Sequence, residues 1–286
     1  MRIKFLNNYP LARERCAQGL LPRHHLWATD YLEERGHVLG DDRPEVVYVA
    51  NELQARPYAL ARRARLGAPL VTVFHHPRIR SRSGLWIKGI DTSICLSEHT
   101  RQSVERLGGR AVRVWWGPDL SYDYTPTSSE FVVSAGKSGR DHQTLLRALD
   151  VPAVVYLREP LPHHPSVTTK IIGPVEHVEH RRVIEDLKRA SVVAIPLAGT
   201  ALVGFTELID ALALGKPVVM TRNVHFSPEE IGCGLSVAPG DVAGWREALA
   251  SVTPEMGKRG RAFVEANDYR AFCARVAEII ESVGRG

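Results

Sequence analysis

The sequence has no apolar run approaching the ~18 residues needed to cross a bilayer. Its first ten residues, MRIKFLNNYP, lack the apolar core of a secretory signal. Its four cysteines, Cys16, Cys95, Cys233 and Cys273, are far apart and form no CxxC or Cys/His metal spacing. Reduced, mostly buried thiols in a cytoplasmic protein are therefore expected. There is no repeat at a solenoid period and no low-complexity tract. The Arg-dense stretches Arg62-Arg63-Arg65 and Arg78-Ile79-Arg80-Ser81-Arg82 have no interleaved aromatics, and no nucleic-acid module is visible. These absences exclude a membrane span, a disulfide scaffold and a metal cluster of familiar spacing, and they argue against nucleic-acid binding.

What remains is a globular composition. The chain has 286 residues, 44% hydrophobic and 24% charged, enough for two domains with proper cores. The formal charge of +5 is uneven. Residues 1–120 carry 19 Lys/Arg against 12 Asp/Glu, a net of +7, and the remainder is slightly acidic. A basic first half allows a phosphorylated ligand or peripheral contact with an anionic membrane surface.

Strand-like and helix-like segments alternate throughout. Strands are expected at 3–6, 46–50, 69–74, 90–96 and 111–115, with helices at 25–34, 58–66 and 97–107. Ser97 reads as an N-cap and Gly36 as a left-handed helix end. Residues 117–130 are polar and turn-rich, and read as a linker. Strands then follow at 131–133, 153–157, 169–172, 192–196 and 217–221. Helices fall at 141–149, 180–189, 205–214, 242–251, 257–266 and 269–283. Such alternation implies an α/β protein of two doubly wound parallel sheets, with a cleft between them.

The most informative segment runs from Ala194-Ile195-Pro196-Leu197 through Gly204-Phe205-Thr206-Glu207 to Asp210, Gly215-Lys216-Pro217 and Val219. It reads as strand, small-residue loop, helix, glycine turn, strand. Ligands in such sheets bind beyond the carboxyl ends of strands. A helix N-terminus there offers unpaired N–H groups and about half a positive charge. Gly204 admits close approach of backbone, Thr206 adds a hydroxyl, and together they suit phosphate. Asp210, one turn later, suits ribose hydroxyls. Lys137 and Arg140, in the strand-to-helix turn after Val133, could neutralise a diphosphate with Gly136 beside them.

On these residues the sequence resembles the GT-B glycosyltransferases, especially the retaining group called family 4. GFTELIDALALGKPVV is similar to that family's donor-binding signature, and FVVSAGKSGRDHQTLL to the opening of its second domain. The resemblance implies Asp210 on the ribose and Lys137 and Arg140 on the diphosphate. Leu202 stands where the family has its first Glu, the carboxylate used on the donor sugar. Either another group such as Glu207 substitutes, or the sugar is held differently, or activity is lost. The family's glycine pair after the first strand is also missing.

The implied architecture is two Rossmann-like domains, 1–120 for the acceptor and 121–268 for the nucleotide-sugar donor. A closing helix, 269–286, crosses back onto the first domain. His75, after the strand ending at Phe74, is a candidate catalytic or acceptor-side residue, and His24 and His25 are acceptor-side candidates. His163, His164, His177 and His180 are taken as structural. The expected activity is transfer of a hexose-like sugar from a nucleoside-diphosphate sugar to a sugar or glycoconjugate acceptor, retaining and metal-independent, with no further cofactor. The alternatives are a GT-B epimerase or hydrolase, active without an acceptor, and a non-catalytic nucleotide-sugar or carbohydrate-binding protein. The base, the sugar and the acceptor are not encoded in any motif recognised here.

Overall fold

The computed structural model describes residues 1–7, 11–75, 79–136, 138–157, 164–171 and 176–285. The chain forms two compact units. Unit 1 comprises Met1–Cys16, Arg23–Asp119 and Asn267–Gly286, and unit 2 comprises Ala17–Pro22 and Leu120–Ala266.

Unit 1 is a six-stranded parallel sheet in the order β2-β1-β3-β4-β5-β6. Its strands are β1 (Arg2–Leu6), β2 (Val38–Leu39), β3 (Val46–Val49), β4 (Leu70–Phe74), β5 (Thr92–Cys95) and β6 (Ala111–Arg113). The central strands β3, β4 and β5 are buried along their whole length, as Val- and Ile-rich strands covered on both faces should be. The helices are α1 (Ala12–Ala17), α2 (Thr29–Glu34), α3 (Glu52–Arg63), α4 (Gly84–Ile87) and α5 (Glu98–Arg106). Ser97 caps α5 through the Thr100 N–H.

Unit 2 repeats the plan with the strand order β12-β11-β10-β7-β8-β9, again all parallel. The strands are β7 (Phe131–Ser134), β8 (Ala153–Leu157), β9 (Val167–Ile171), β10 (Ala190–Ile195), β11 (Val218–Thr221) and β12 (Gly234–Val237). The helices are α6 (His142–Ala148), α7 (Glu176–Lys188), α8 (Phe205–Ala213), α9 (Pro228–Ile231), α10 (Val242–Ser251) and α11 (Pro254–Ala266). The last helix, α12 (Tyr269–Gly284), belongs to unit 1 and packs on α2, β3, β4 and β5. It buries Tyr269, Phe272, Cys273, Val276, Ala277, Ile279 and Ile280, the apolar stripe its 3.6-residue period lays out.

Three sequence expectations change. The helix expected over 25–34 is broken. Arg23–Leu26 is a single 3-10 turn, Trp27 and Ala28 take the left-handed conformation, and α2 starts at Thr29. The helix expected from Tyr58 begins at Glu52 instead, because Asn51 caps it through Leu53 N–H and Pro57 is accommodated within it. The segment read as a linker is pinned to unit 2 from residue 120 onward. Asp123 pairs with Lys188, Tyr124 donates to Asp210, Thr127 N–H donates to the Lys188 carbonyl, and Glu130 pairs with Arg189.

The left-handed pair Trp27-Ala28 carries a backbone cost of roughly 1–2 kcal/mol per residue. Two tyrosine hydroxyls hold it. Tyr48 donates to the Trp27 carbonyl at 3.0 Å, and Tyr269 accepts from the Ala28 N–H at 3.0 Å. Tyr269 also donates to Asp30 at 2.5 Å, so the first residue of α12 fastens the strained turn and the start of α2 together. Tyr269→Phe should therefore leave a buried N–H and a carboxylate oxygen short of partners. We expect a loss of roughly 3 kcal/mol in a denaturant titration. An unchanged unfolding midpoint would mean that packing alone holds the turn.

Candidate functional site

In unit 2, β7 and β10 are parallel neighbours, and the chain leaves them in opposite directions across the sheet. The order reverses between them, so the loops at their carboxyl ends are not bridged by a crossover and stand over a crevice. One loop is 135–141, leading into α6, and the other is 196–204, leading into α8. They are laced together. Asp141 N–H donates to the Pro196 carbonyl at 3.0 Å, Ala198 N–H to the Gly139 carbonyl at 2.8 Å, and Arg140 forms a bridge with Leu197. Thr221 on β11 accepts from the Leu197 N–H at 2.8 Å and anchors the second loop from beneath.

Arg140 sits at the centre, its side chain almost fully buried. It donates to the Ala135 carbonyl through Nε at 3.2 Å, to the Ser138 carbonyl through Nη1 at 2.7 Å, and to Glu207 Oε1 through Nη2 at 2.6 Å. These bonds account for three of the guanidinium's five N–H groups. Breaking a buried pair of this kind leaves an uncompensated charge and costs about 3–5 kcal/mol. Gly136 makes room for it. Its φ is +121°, and a Cβ there would lie 2.2 Å from Glu207 Oε1 and 2.3 Å from Arg140 Nη2. The structure thus brings together Gly136, Arg140 and Glu207, three residues singled out from the sequence.

Gly204 begins α8 with φ +84° and no side-chain cap. By contrast α3, α5, α6, α10 and α12 are capped by Asn51, Ser97, Asp141, Asp241 and Asp268. No N-cap side chain competes for the first-turn amides of α8. Thr206 is partly exposed beside them. The Phe205 ring is buried and stacks on Phe226 with centroids 4.2 Å apart, so it fixes the start of the helix by packing. Leu202 is buried in the same loop, and the carboxylate that the fold brings to this crevice is Glu207, tied to Arg140. Lys137 lies outside the described residues.

Asp210 is 2% exposed. Its Oδ1 accepts from Tyr124 at 2.6 Å and its Oδ2 lies 3.9 Å from His180 Nε2. Burial pushes its pKa up to about 8, against the opposing hydrogen bond from Tyr124 and with help from the Glu207 charge. Neither Tyr124 nor His180 was singled out by sequence. Tyr124 falls in the polar stretch read as linker, and His180 at the expected start of a helix gave no periodic signal. Two residues after Arg140, burial and the Arg140 charge lower His142 to about 4.

In unit 1 the three histidine candidates meet around two tryptophans. Trp27 and Trp116 stack at 4.5 Å with planes 8° apart. His24 meets the edge of Trp116 and is fully buried, its Nδ1 accepting from the Asp119 N–H. Of the pair, His25 is the one with part of its surface open. His75 meets both Trp27 and Trp116 edge-on, at 4.9 and 5.7 Å, and is also partly open. Trp116 donates its indole N–H to the His24 carbonyl at 3.1 Å. Sequence reading missed Trp27 as a member because it was assigned to a regular helix. Among the described residues, no group of three or more His, Cys, Asp or Glu is placed to hold a metal ion.

Solved structures share this fold. Sucrose-phosphate synthase from Thermosynechococcus elongatus superposes with a TM-score of 0.66 over 97% of this chain and 80% of its own, at 14% identity. The chain has the GT-B fold. The lipopolysaccharide outer core galactosyltransferase WaaB gives a TM-score of 0.61 over 96% of this chain and 82% of its own, at 13% identity. An E. coli structure from the trehalose-6-phosphate system, bound with UDP-2-fluoro glucose, gives 0.64 over 98% and 79%, at 10% identity. At such identities the likeness is one of fold. No protein-family model and no curated protein matches the sequence.

The Asp210 carboxyl makes stability depend on pH in a defined window. Its folded pKa lies above the unfolded value, so the folded chain binds the extra proton in between, and stability falls as pH rises through that interval. His142 runs the other way. The unfolded chain carries its proton up to about 6.5 and the folded chain releases it near 4, so stability climbs to about 6.5. From 6.5 to 8, of these two groups Asp210 alone is still titrating. We expect the wild type to lose stability across that interval in thermal melts. Asp210→Asn, which keeps an acceptor for Tyr124, should be flat there. A parallel decline in both proteins would assign the effect to another group.

Proposed function

We propose that this chain is a glycosyltransferase, moving a sugar from a nucleoside-diphosphate sugar to a sugar or glycoconjugate acceptor, with retention and without a metal. The observation that carries the reading is the convergence of Gly136, Arg140, Glu207 and the uncapped start of α8 at the point where the unit 2 sheet reverses. That is where an open α/β sheet holds its ligand. Fold relatives support the donor class. One is bound with UDP-2-fluoro glucose, and the pneumococcal O-GlcNAc transferase GtfA is in complex with UDP and GlcNAc.

In this reading the donor diphosphate lies at the first turn of α8, where the Thr206 and Glu207 amides and the helix dipole favour negative charge. Arg140 presents its two remaining N–H groups to the phosphate oxygens. Its three internal bonds fix the guanidinium before the ligand arrives, so little ordering is needed when charge grows on the leaving diphosphate. Because Glu207 balances much of the Arg140 charge, Lys137 and the helix end supply the remaining neutralisation. Asp210, set by Tyr124 and His180, receives the ribose. Glu207 is the acid available to the donor sugar in place of the family carboxylate missing at Leu202. The acceptor is assigned to unit 1, where His25 and His75 flank the Trp27–Trp116 stack and can hydrogen-bond hydroxyls. A leaving-phosphate oxygen can take the acceptor proton in a retaining transfer, so no dedicated base is required. Four cysteines outside any disulfide suit a reducing, cytoplasmic setting.

Thermal-shift measurements with UDP, GDP, ADP and TDP and their sugars test the donor site directly. At least one should stabilise the protein, and failure of all four nucleotide classes would sink the reading. Arg140→Ala should weaken binding of that nucleoside diphosphate at least about tenfold, the scale of a lost charge-assisted hydrogen bond. Lys137→Ala should act in the same direction. Unchanged affinity in both variants would place the diphosphate elsewhere. Turnover that needs no acceptor would favour the epimerase or hydrolase, and binding without turnover over a broad acceptor panel would favour a non-catalytic binding protein.

A further inference from the structure

The excess positive charge of the first half has a single source. Between Leu53 and Ile90 the sequence contains eight Lys/Arg and no Asp or Glu. The rest of residues 1–120 is close to neutral. Of the eight, Arg62 is committed to Asp91, with bonds of 3.0 and 3.2 Å, and Arg78 lies outside the described residues. Arg56, Arg63, Arg65, Arg80, Arg82 and Lys88 are all exposed.

The same segment also exposes leucines. Leu53 is 48% exposed, Leu60 53%, Leu66 62% and Leu85 63%. Leu53 and Leu60 are seven residues apart on α3, so they stand on one face, with Pro57 and Ala64 between and beyond them. The opposite face of α3 buries Ala55 and Ala59. Arg56 and Arg63 flank the exposed stripe, three residues after each leucine. α3 packs against α4, which carries Leu85. The contact brings the two exposed surfaces side by side. The Arg56 guanidinium lies over the Trp86 ring at 5.5 Å, and Arg63 Nη1 donates to the Leu85 carbonyl at 2.6 Å. Arg80 and Arg82 immediately precede α4, and Lys88 follows it. The acids nearest in sequence, Glu52 and Asp91, are respectively buried and paired.

We infer that this surface, formed by α3, α4 and the Arg80–Ser83 turn, docks the protein on an anionic lipid bilayer. A surface helix with leucines on its outer face and arginines at the flanks can bury the former at the headgroup boundary while the latter reach lipid phosphates. Positive charge without interspersed acid matches the negative potential of an anionic leaflet. A nucleic-acid partner would use the cations and leave the leucines unexplained. The inference does not depend on sugar transfer, and its test reads no turnover.

The experiment is sedimentation of the full chain with vesicles of phosphatidylcholine alone or mixed with phosphatidylglycerol. Binding should require the anionic lipid and weaken at high salt. Arg56→Gln/Arg82→Gln/Lys88→Gln should lower the partition coefficient by about fivefold per removed cation. Leu60→Ser/Leu85→Ser should lower it by roughly tenfold at the same net charge. All five positions are exposed, so the variants should melt cooperatively like the wild type, shifted at most by the lost Arg56–Trp86 contact. Equal binding to both vesicle types, or none to either, would overturn the inference before any variant is made. So would leucine variants that bind like the wild type, or tight binding of a single-stranded RNA that ignores the leucines.

Discussion

A guanidinium enclosed by backbone carbonyls and one carboxylate organises the crevice of unit 2. Arg140 can occupy its position because Gly136 has no side chain, and it joins two loops that arise from adjacent parallel strands. Without it, the partly buried Glu207 would lose its ion-pair partner at the mouth of α8. The bridge between Arg140 and Leu197 and the flanking amide bonds hold the crevice open in one shape. A site with this geometry is set in advance, and its charges are already in place.

Unit 1 solves a different problem. Two non-glycine residues in left-handed conformation reverse the chain between Leu26 and Thr29, and that reversal delivers the Trp27 ring onto Trp116. Tyr48 from the sheet and Tyr269 from the final helix hold the turn from two sides. The last helix is thus part of the machinery that positions the histidines and tryptophans, as well as a lid on apolar core. Strain maintained by surrounding structure is common where a ligand must be met by rigid groups.

The regular elements were largely legible. Val242–Ser251 was bounded correctly from its periodicity, and Ser97 was recognised as a cap from its residue type alone. Errors fell where tertiary partners override local preference. A helix is expected from Tyr58, yet one capped by Asn51 starts at Glu52 and passes through Pro57. Residues 120–130 have no apolar period and read as linker, yet Asp123, Tyr124 and Glu130 find partners in Lys188, Asp210 and Arg189, far along the chain. Polar side chains that dock by long-range hydrogen bonds leave no periodic trace. For the same reason the Asp210 partners Tyr124 and His180 were missed, while Gly136, Arg140 and Glu207 were found.

The sequence by itself determined the alternation of buried strands and amphipathic helices, and with it two parallel sheets and the loop regions where a ligand would sit. Hydrophobic periodicity and glycine placement are local properties, and they survive in one dimension. Only the tertiary structure decided that Arg140 pairs with Glu207 and that Asp210 is buried under Tyr124. It also decided that the basic segment's leucines face outward on one surface. Those outcomes depend on which groups meet across tens of residues and on what burial then does to their charges, and neither is written in any short window of chain.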